Sequence, residues 1–440
     1  MTEQKKLHQL FFPIFLEILF AMLAGAVDTL MLSSVGDQAV GAVGTANTYI
    51  GIFIIMFSII SSGVMAVMTQ YIGAGRPGVA RQAMKLGLLF NATVGVALTV
   101  LLTFGAELIL TTVGIAAQLL APAKTYLQVV GCFCLCNALF PIFSGFLRSF
   151  GHAKPTLAAT VVANLANLSL NALFLFVFRW GVWGVALATG ISRLVNLLWL
   201  MIATARRIRV PVDPAPPANR ELLRQIIRIG FPAAMETSLY NLAITLVIRF
   251  LNQMDDTGMQ ATARSYAMQI TNFSYCAGAA LAHANAILVG WRIGANRIDE
   301  CNRGTRKAAM LGVLIGSGSA GLFALLGRPL IGLFTDDAAM IELVSILLSI
   351  DSALEVGRCL NLVYGVALKT SGDAVYPMVI AVVFAFLCAA GGTWFFGIRL
   401  GWLAVGAYAA MALDECVRAV FMVLRWRSGK WKKHRIVSNT

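Results

Sequence analysis

Long apolar runs alternate with short polar segments along the whole chain. An α-helix needs about 20 apolar residues to cross the hydrocarbon core of a bilayer. Twelve runs have roughly this length, and we predict that each forms a transmembrane helix: 9–33, 44–71, 86–105, 122–146, 156–178, 182–204, 226–251, 267–290, 308–331, 340–368, 374–397 and 401–424. The pattern therefore predicts an all-α polytopic membrane protein with twelve transmembrane helices.

The composition agrees with a membrane protein. Of the 440 residues, 59% are hydrophobic and 12% are charged, and the mean hydropathy is +0.79. Soluble domains use about 25% charged residues. The net charge of +14 could indicate nucleic-acid binding, but the basic residues lie in short loops between apolar runs. Because this distribution is typical of membrane topology, we expect a lipid bilayer and no nucleic acid as a partner.

The basic residues also predict the orientation of the chain. The N-terminus, every second loop and the C-terminus together hold 25 Lys and Arg residues, whereas the remaining loops hold five. Basic residues accumulate in cytoplasmic loops. We therefore predict a multi-pass protein of the plasma membrane, in bacteria the inner membrane, with both termini in the cytoplasm.

The two halves of the chain resemble each other. FPIFLE at 12–17 matches FPAAME at 231–236 with an offset of 219 residues, and GAGR at 73–76 matches GANR at 294–297 with an offset of 221. Gly151 and Gly372 continue the series at 221. We predict two pseudo-symmetric six-helix lobes, 1–204 and 226–440, joined by the basic, proline-rich cytoplasmic linker 205–225 and followed by a basic C-terminal tail.

Two carboxylates interrupt the first apolar run. Glu17 and Asp28 are eleven residues apart, close to three helical turns, so both lie on one face, roughly 16 Å apart along the axis. A charge at the middle of a bilayer costs at least about 2.5–3.5 kcal/mol on translocon scales, which makes such residues functional candidates. The alternative is a carboxylate that is hydrogen-bonded for helix packing.

Three asparagines share one face of the fifth run. Asn164, Asn167 and Asn171 have the spacing i, i+3 and i+7. Their amides can bind a cation or a carboxylate, or can hydrogen-bond neighbouring helices, and for Asn164 both interpretations stay open. In the second half, Asn167 and Asn171 correspond to Cys388 and Gly392. Packing contacts needed by the fold should recur in both halves, so this asymmetry favours an ion-coupling site in the first lobe.

Several stretches resemble the multidrug and toxic compound extrusion (MATE) family, in order and over nearly the whole chain. They are PIFLEILFAMLAGAVDTLMLSSVG, GAGR, LRSFGHAKP, NLSLNALFLFVFRWGVWGVALATGIS and GDAVYP. The resemblance implies two six-helix lobes arranged in a V, with a large central cavity. It also implies a secondary antiporter that exports organic cations and other amphipathic compounds while H⁺ or Na⁺ enters.

The resemblance also implies which residues bind the coupling ion. Asp28 matches an aspartate in the first helix of many members, and Asn167, Asn171 and Thr189 match its polar neighbours. Na⁺ is a candidate ligand of Asp28, Asn167 and Asn171. Pro13 matches a proline at which that helix bends. Many members carry aspartate where this chain has Asn171, so the choice between H⁺ and Na⁺ stays open.

The second half supplies further candidates for coupling or gating. Glu236 is the repeat counterpart of Glu17, and His283 titrates near neutral pH in its unperturbed form. Arg358 stands roughly where some sodium-coupled relatives have an aspartate, and we predict that it pairs with Glu355 at i,i+3. We also predict ion pairing among Asp414, Glu415 and Arg418 in the twelfth run.

The expected function is export of amphipathic, cationic small molecules by alternating access of the two lobes. A lipid or lipid-linked oligosaccharide flippase of the same superfamily is the alternative. The Walker A and HExxH motifs are absent, and GxGxxG occurs at 73–78 and 316–321 without the strand–turn–helix pattern of a dinucleotide site, so we expect neither an enzyme nor a cofactor beyond the coupling ion. The eight cysteines show no zinc or CxxC spacing, and we expect a monomer.

The orientation can be tested with a cysteine introduced near Asn219, in the predicted cytoplasmic linker. We expect an impermeant thiol reagent added outside intact cells to leave it unlabelled, and to label it once the membrane is permeabilised. Labelling in intact cells would contradict the predicted topology.

Overall fold

The structure is a computed structural model that describes residues 7–112, 115, 117–332 and 334–437. These residues form helices and connecting segments, with no β-strand among them. The α-helices are α1 (Leu7–Ser33), α2 (Asp37–Gly73), α3 (Pro77–Phe104), α4 (Ala106–Thr112), α5 (Ala117–Cys132), α6 (Cys134–Ser149), α7 (Ala153–Ala172), α8 (Gly181–Arg207), α9 (Asn219–Asn252), α10 (Met259–Gly294), α11 (Ile298–Leu325), α12 (Gly327–Ile331), α13 (Ala338–Ser371), α14 (Val375–Phe384) and α15 (Leu403–Arg427).

Shorter helical segments complete the chain. The π-helix Leu173–Val177 continues α7, and the π-helices Ala385–Ala390 and Thr393–Arg399 follow α14. A 3₁₀-helix, Lys430–His434, follows α15. π-Helical turns are rare and occur frequently near functional sites.

The described helices account for the twelve predicted spans. Nine are long and apolar enough to cross a membrane, and α5 with α6 forms a tenth span that is bent by 47°. The helices α13 and α15 carry at least three charged residues in every 18-residue stretch, which excludes them on composition alone. With these two included, the all-α fold with twelve membrane-spanning segments is confirmed.

Helix ends differ from the predicted ends where polar residues continue the helix. The helices α3, α9 and α10 begin seven to nine residues before their apolar runs. Since α8 ends at Arg207 and α9 begins at Asn219, the non-helical connection between them is 208–218, which lies inside the predicted linker 205–225. The predicted bend at Pro13 stays a prediction, because α1 is helical through this residue.

The chain divides into two compact units, one built mainly from Phe12–Gly230 and the other mainly from the residues after Gly230. In the first unit α2 packs against α3, α5 and α6, and α7 packs against α8. In the second unit α13 packs against α10, α11 and α15. Outward-facing apolar side chains on α3, such as Phe104 with 82% exposure, suit a lipid environment.

A glycine brings α13 and α15 into close contact. A Cβ atom at Gly357 would lie 2.6 Å from the backbone nitrogen of Cys416, closer than such atoms can approach. Small residues allow this kind of close helix crossing in membranes. The crossing brings the charged residues of α13 and α15 into one region of the second unit.

We expect Gly357→Ala to destabilise the second unit, because the added methyl group meets the α15 backbone rather than a movable side chain. Overpacking of this kind costs roughly 1–3 kcal/mol, so the unfolding temperature of the purified protein should fall. Gly318→Ala on α11 is the matched control, since a Cβ there meets nothing within 4 Å. Equal unfolding temperatures for the two variants would contradict the close crossing.

Candidate functional site

Asp28 on α1 contacts two asparagines on α7. The side-chain nitrogen of Asn171 donates to Asp28 Oδ1 at 2.9 Å and to Asn167 Oδ1 at 3.2 Å. Both asparagines are buried, and Asn171 Oδ1 is a buried oxygen with no hydrogen-bond partner. The three residues, which we call the Asp28 cluster, therefore combine a carboxylate with an amide oxygen that is free to bind a ligand.

The Asp28 cluster lies beside a cavity of about 280 Å³ within the first unit. Asp28, Asn167, Thr189, Arg193 and Glu17 are among the residues that line it. Arg193 acts electrostatically on Asp28, but the two form no ion pair within 4.0 Å. Glu17 and Asp28 thus line one cavity, as their spacing on α1 requires.

Thr189 was predicted as a polar neighbour of Asp28, and it lines the same cavity while its hydroxyl bonds other groups. Its hydroxyl donates to the carbonyl oxygen of Val185, one turn earlier in α8, at 2.9 Å. Hydroxyl groups in membrane helices commonly bond the preceding turn in this way. Thr189 lines the cavity but makes no hydrogen bond to the Asp28 cluster.

Glu17, predicted as a secondary coupling candidate, has its charge matched by a neighbour. Arg148, at the end of α6, donates a hydrogen bond to Glu17 and forms an ion pair with it. The hydroxyl of Thr156 donates to the other carboxylate oxygen of Glu17 at 2.8 Å. Glu17 thereby joins α1 to α6 and α7.

Asn164 has a structural contact. Its side-chain nitrogen donates to the carbonyl oxygen of Phe20 at 2.9 Å, which links α7 to α1. Of the two interpretations left open by the sequence, the hydrogen bond between helices is the one that the structure shows.

The second unit repeats the ion pair of Glu17. Glu236 forms an ion pair with Lys369 at 3.0 Å. Glu17 and Glu236 are separated by 219 residues, and Arg148 and Lys369 by 221, which are the two offsets of the repeat. Sequence reasoning missed both basic partners, although their common offset was present in the sequence.

Six charged residues on α13 and α15 form a buried network in the second unit. On α13, Arg358 pairs with Glu355 at 2.8 Å, as predicted, and with Asp351 at 3.8 Å. On α15, Arg418 contacts Asp414 at 2.6 Å and Glu415 at 2.8 Å.

A cavity of about 430 Å³ adjoins this network within the second unit. Glu236, His283, Arg358, Lys369 and Arg418 are among its lining residues. The structure therefore gathers Glu236, His283 and Arg358 around one space, whereas Glu355 pairs with Arg358 and is not among the lining residues.

The second unit cannot hold a copy of the Asp28 cluster. At the position that corresponds to Asn171, a Cβ on Gly392 would lie 2.9 Å from the Cβ of Ala410 on α15. An asparagine side chain has no space there. The position that corresponds to Asn167 is Cys388, which lies in a π-helix.

Asp28 differs from every other carboxylate in the twelve predicted spans. These spans contain eight carboxylates. In the described part of the chain, seven of them form an ion pair within 4.0 Å: Glu17, Glu236, Glu342, Asp351, Glu355, Asp414 and Glu415. Asp28 is the exception, so its charge has no fixed compensation.

The chemistry of the Asp28 cluster suits a small hard cation. Carboxylate and amide oxygens bind protons or hard metal cations, and they are poor ligands for soft metals. Over the described residues, no group of three or more His, Cys, Asp or Glu side chains has the arrangement of a metal site.

Comparison with known proteins places this geometry in a family. The MatE family model matches residues 13–173 and again residues 232–394. The uncharacterized transporter YisQ of Bacillus subtilis is 32% identical over 432 residues, which cover 97% of this chain and 94% of that protein. The probable multidrug resistance protein NorM of Thermotoga maritima is 25% identical over 444 residues, covering 99% and 94%.

Solved structures share the fold. The outward-facing conformation of a multidrug resistance MATE family transporter of the MOP superfamily superposes with a TM-score of 0.88 at 18% identity, covering 97% of this chain and 96% of the other. A MOP superfamily transporter from Pyrococcus furiosus, described as having a binding pocket of reverse polarity, gives a TM-score of 0.86 at 18% identity and the same coverage.

We expect Arg148→Gln to lower the stability of the first unit, because it leaves the Glu17 carboxylate unpaired and largely buried. Breaking a buried ion pair costs about 3–5 kcal/mol, and this partly accessible pair should lie at the lower end. Adding Glu17→Gln to Arg148→Gln should restore part of the loss of unfolding temperature.

Lys124→Gln is the matched control for this experiment. It breaks the Lys124–Glu107 ion pair, whose side chains are 37% and 59% exposed, and such surface pairs contribute about 0–1 kcal/mol. If Arg148→Gln were no more destabilising than Lys124→Gln, the Glu17 pair would not hold α1 in place.

Proposed function

This chain belongs to the multidrug and toxic compound extrusion (MatE) family of membrane transporters, and we propose that it is a secondary antiporter. In this proposal it exports amphipathic, cationic small molecules in exchange for H⁺ or Na⁺. The family consists of transporters rather than enzymes, and relatives named as probable multidrug resistance proteins support export of drug-like molecules.

One observation carries the proposal. Asp28 is the one carboxylate of the predicted spans that lacks an ion pair among the described residues. An uncompensated charge in a membrane is costly, and binding a proton or a cation removes that cost. Each of the seven other carboxylates already contacts an arginine or lysine, although two arginines are each shared by two carboxylates, so Asp28 is the one position where a cation would be the first positive charge in contact.

The Asp28 cluster has two states in this proposal, one without a bound cation and one with a bound proton or Na⁺. Without a bound cation, Asp28 is ionised, accepts the hydrogen bond from Asn171 and interacts with Arg193 across the cavity. A proton on Asp28 weakens both interactions because they depend on its negative charge. For sodium to bind between Asp28 and Asn171, the amide of Asn171 would have to rotate so that its unpartnered oxygen, rather than its nitrogen, faces Asp28 as a neutral ligand.

Occupation of the Asp28 cluster changes how α1 is held against α7. The contact between Asp28 and Asn171 joins these two helices, so a change in its strength shifts the balance between their arrangements. In the proposed cycle, this shift drives alternating access of the two lobes and releases substrate as the ion enters. Glu17 carries no coupling ion in this cycle, because Arg148 already matches its charge.

A flippase is the second candidate, and the cavity of the second unit bears on it. Three basic side chains line this cavity, which would suit an anionic lipid headgroup: Arg358, Lys369 and Arg418. Each of the three is ion-paired with carboxylates, however, so the cavity carries no unmatched positive charge. This balance supports the antiporter.

The proposed setting follows from the basic residues and the even number of spans. We place the transporter in the plasma membrane as a monomer, with both termini and the connection 208–218 in the cytoplasm.

We expect Asp28→Asn to abolish ion-driven efflux, because asparagine has nearly the same shape but cannot bind a proton or offer a charged ligand to Na⁺. Purified protein in proteoliposomes should export a cationic dye under either a pH gradient or a Na⁺ gradient, each applied alone, and the variant should fall to the rate of protein-free liposomes. The active gradient identifies the coupling ion.

Asp256→Asn is the matched control, since Asp256 is exposed in the loop between α9 and α10 and lies outside both cavities. It should transport at the wild-type rate. Coupled efflux by a folded Asp28→Asn variant at the rate of Asp256→Asn would show that Asp28 is not the coupling carboxylate.

A further inference from the structure

A second large pocket of the first unit is separate from the Asp28 cluster. It has a volume of about 680 Å³ and lies where α3, α6 and α8 meet the connection 208–218. Its walls include three basic side chains, Arg81, Lys85 and Arg209, and no carboxylate. Apolar residues such as Leu88 and Phe146 form much of the remaining surface.

The positive charge of this pocket is not compensated by the protein. In the described part of the chain, Arg81, Lys85 and Arg209 form no ion pair within 4.0 Å. Arg76 and Arg148, on the same side of the first unit, are both paired with carboxylates. The pocket therefore combines unmatched cations with an apolar wall.

A buried hydroxyl in the same pocket has no partner. Thr204 lines the pocket and is 9% exposed, and its Oγ1 atom makes no hydrogen bond. A buried polar atom without a partner is destabilising, so such atoms are normally satisfied by a ligand, water or protein. Thr204 thus offers a hydrogen bond to a ligand that reaches between the cations.

The connection 208–218 is fixed over the pocket by polar contacts with α3 and the residue before it. Arg76 donates two hydrogen bonds to Asp213, at 3.0 and 3.2 Å, and Gln82 donates to the carbonyl oxygen of Pro217 at 3.1 Å. The bond from Arg76 lowers the pKa of Asp213, which stays ionised at neutral pH. Gly78 allows this approach, because a Cβ there would lie 2.5 Å from the Asp213 nitrogen.

We propose that this pocket binds an anionic phospholipid of the cytoplasmic leaflet. Its phosphate would contact Lys85, Arg209 and the free part of Arg81, and an acyl chain would follow Leu88 and Phe146. Basic pockets between transmembrane helices on the cytoplasmic side suit anionic headgroups, and the volume lies within the range of small-molecule sites. The proposal rests on the orientation given under Proposed function, and not on the coupling role of Asp28.

Native mass spectrometry of the full-length protein in detergent tests the proposal, with phosphatidylglycerol and phosphatidylcholine as probes. We expect the wild type to bind phosphatidylglycerol in preference to phosphatidylcholine. Removing the charges with Lys85→Gln and Arg209→Gln should weaken this binding roughly 30-fold, since each basic residue near a membrane surface contributes about 1 kcal/mol. Thr204→Val should weaken it to a smaller extent and leaves the charge unchanged.

Arg206→Gln with Arg207→Gln is the matched control, because it removes two exposed charges from the same end of α8, outside the pocket. This variant should bind phosphatidylglycerol as the wild type does. Equal binding by the pocket and control variants would overturn the site, as would equal binding of the two lipids by the wild type. Displacement of phosphatidylglycerol by millimolar inorganic phosphate would overturn the lipid and indicate a site for free anions.

Discussion

A charge inside a membrane must be matched by another charge, a proton or a bound ion. In this protein, seven of the eight carboxylates in the spans have a basic partner within 4.0 Å, with Asp351 and Glu355 sharing Arg358, and Asp414 and Glu415 sharing Arg418. Two of these pairs connect the first helix of a half to a later helix: Glu17 joins α1 to α6, and Glu236 joins α9 to α13. Asp28 has no such partner, so only a proton or a bound cation can compensate its charge. The occupancy of this position therefore depends on the ion gradients across the membrane.

Comparison of the two repeated halves shows which contacts both of them keep and that the Asp28 cluster is found in the first half alone. Both halves kept the carboxylate of their first helix together with a basic partner, which is expected of a contact needed by the fold. The Asp28 cluster was kept or gained in the first half only. In the second half, Gly392 packs closely on Ala410. The buried charged residues of α13 and α15 pair with one another. The two units thus share an ion pair at equivalent positions and differ in which ligands their buried polar residues can bind.

The sequence predicted features that depend on one helix or on long-range hydropathy. The twelve spans follow from apolar length, and the pair Glu355–Arg358 follows from i,i+3 spacing on a single helix. The partner of Glu17 lies 131 residues away in the sequence. Which basic residue faces Glu17 depends on how the helices are rotated about their axes, so no local pattern could identify Arg148. The backbone bond of Thr189 and the bend between α5 and α6 likewise depend on packing that hydropathy does not encode.

Competition between ion and substrate at equilibrium tests most directly whether Asp28 carries the coupling ion. The affinity of the purified protein for a fluorescent cationic dye can be measured in detergent while pH and Na⁺ concentration are varied separately. We predict that the wild type binds the dye more weakly as H⁺ or Na⁺ is raised, and that Asp28→Asn binds it with an affinity that neither ion changes. An ion dependence of the same size in wild type and Asp28→Asn would contradict the assignment.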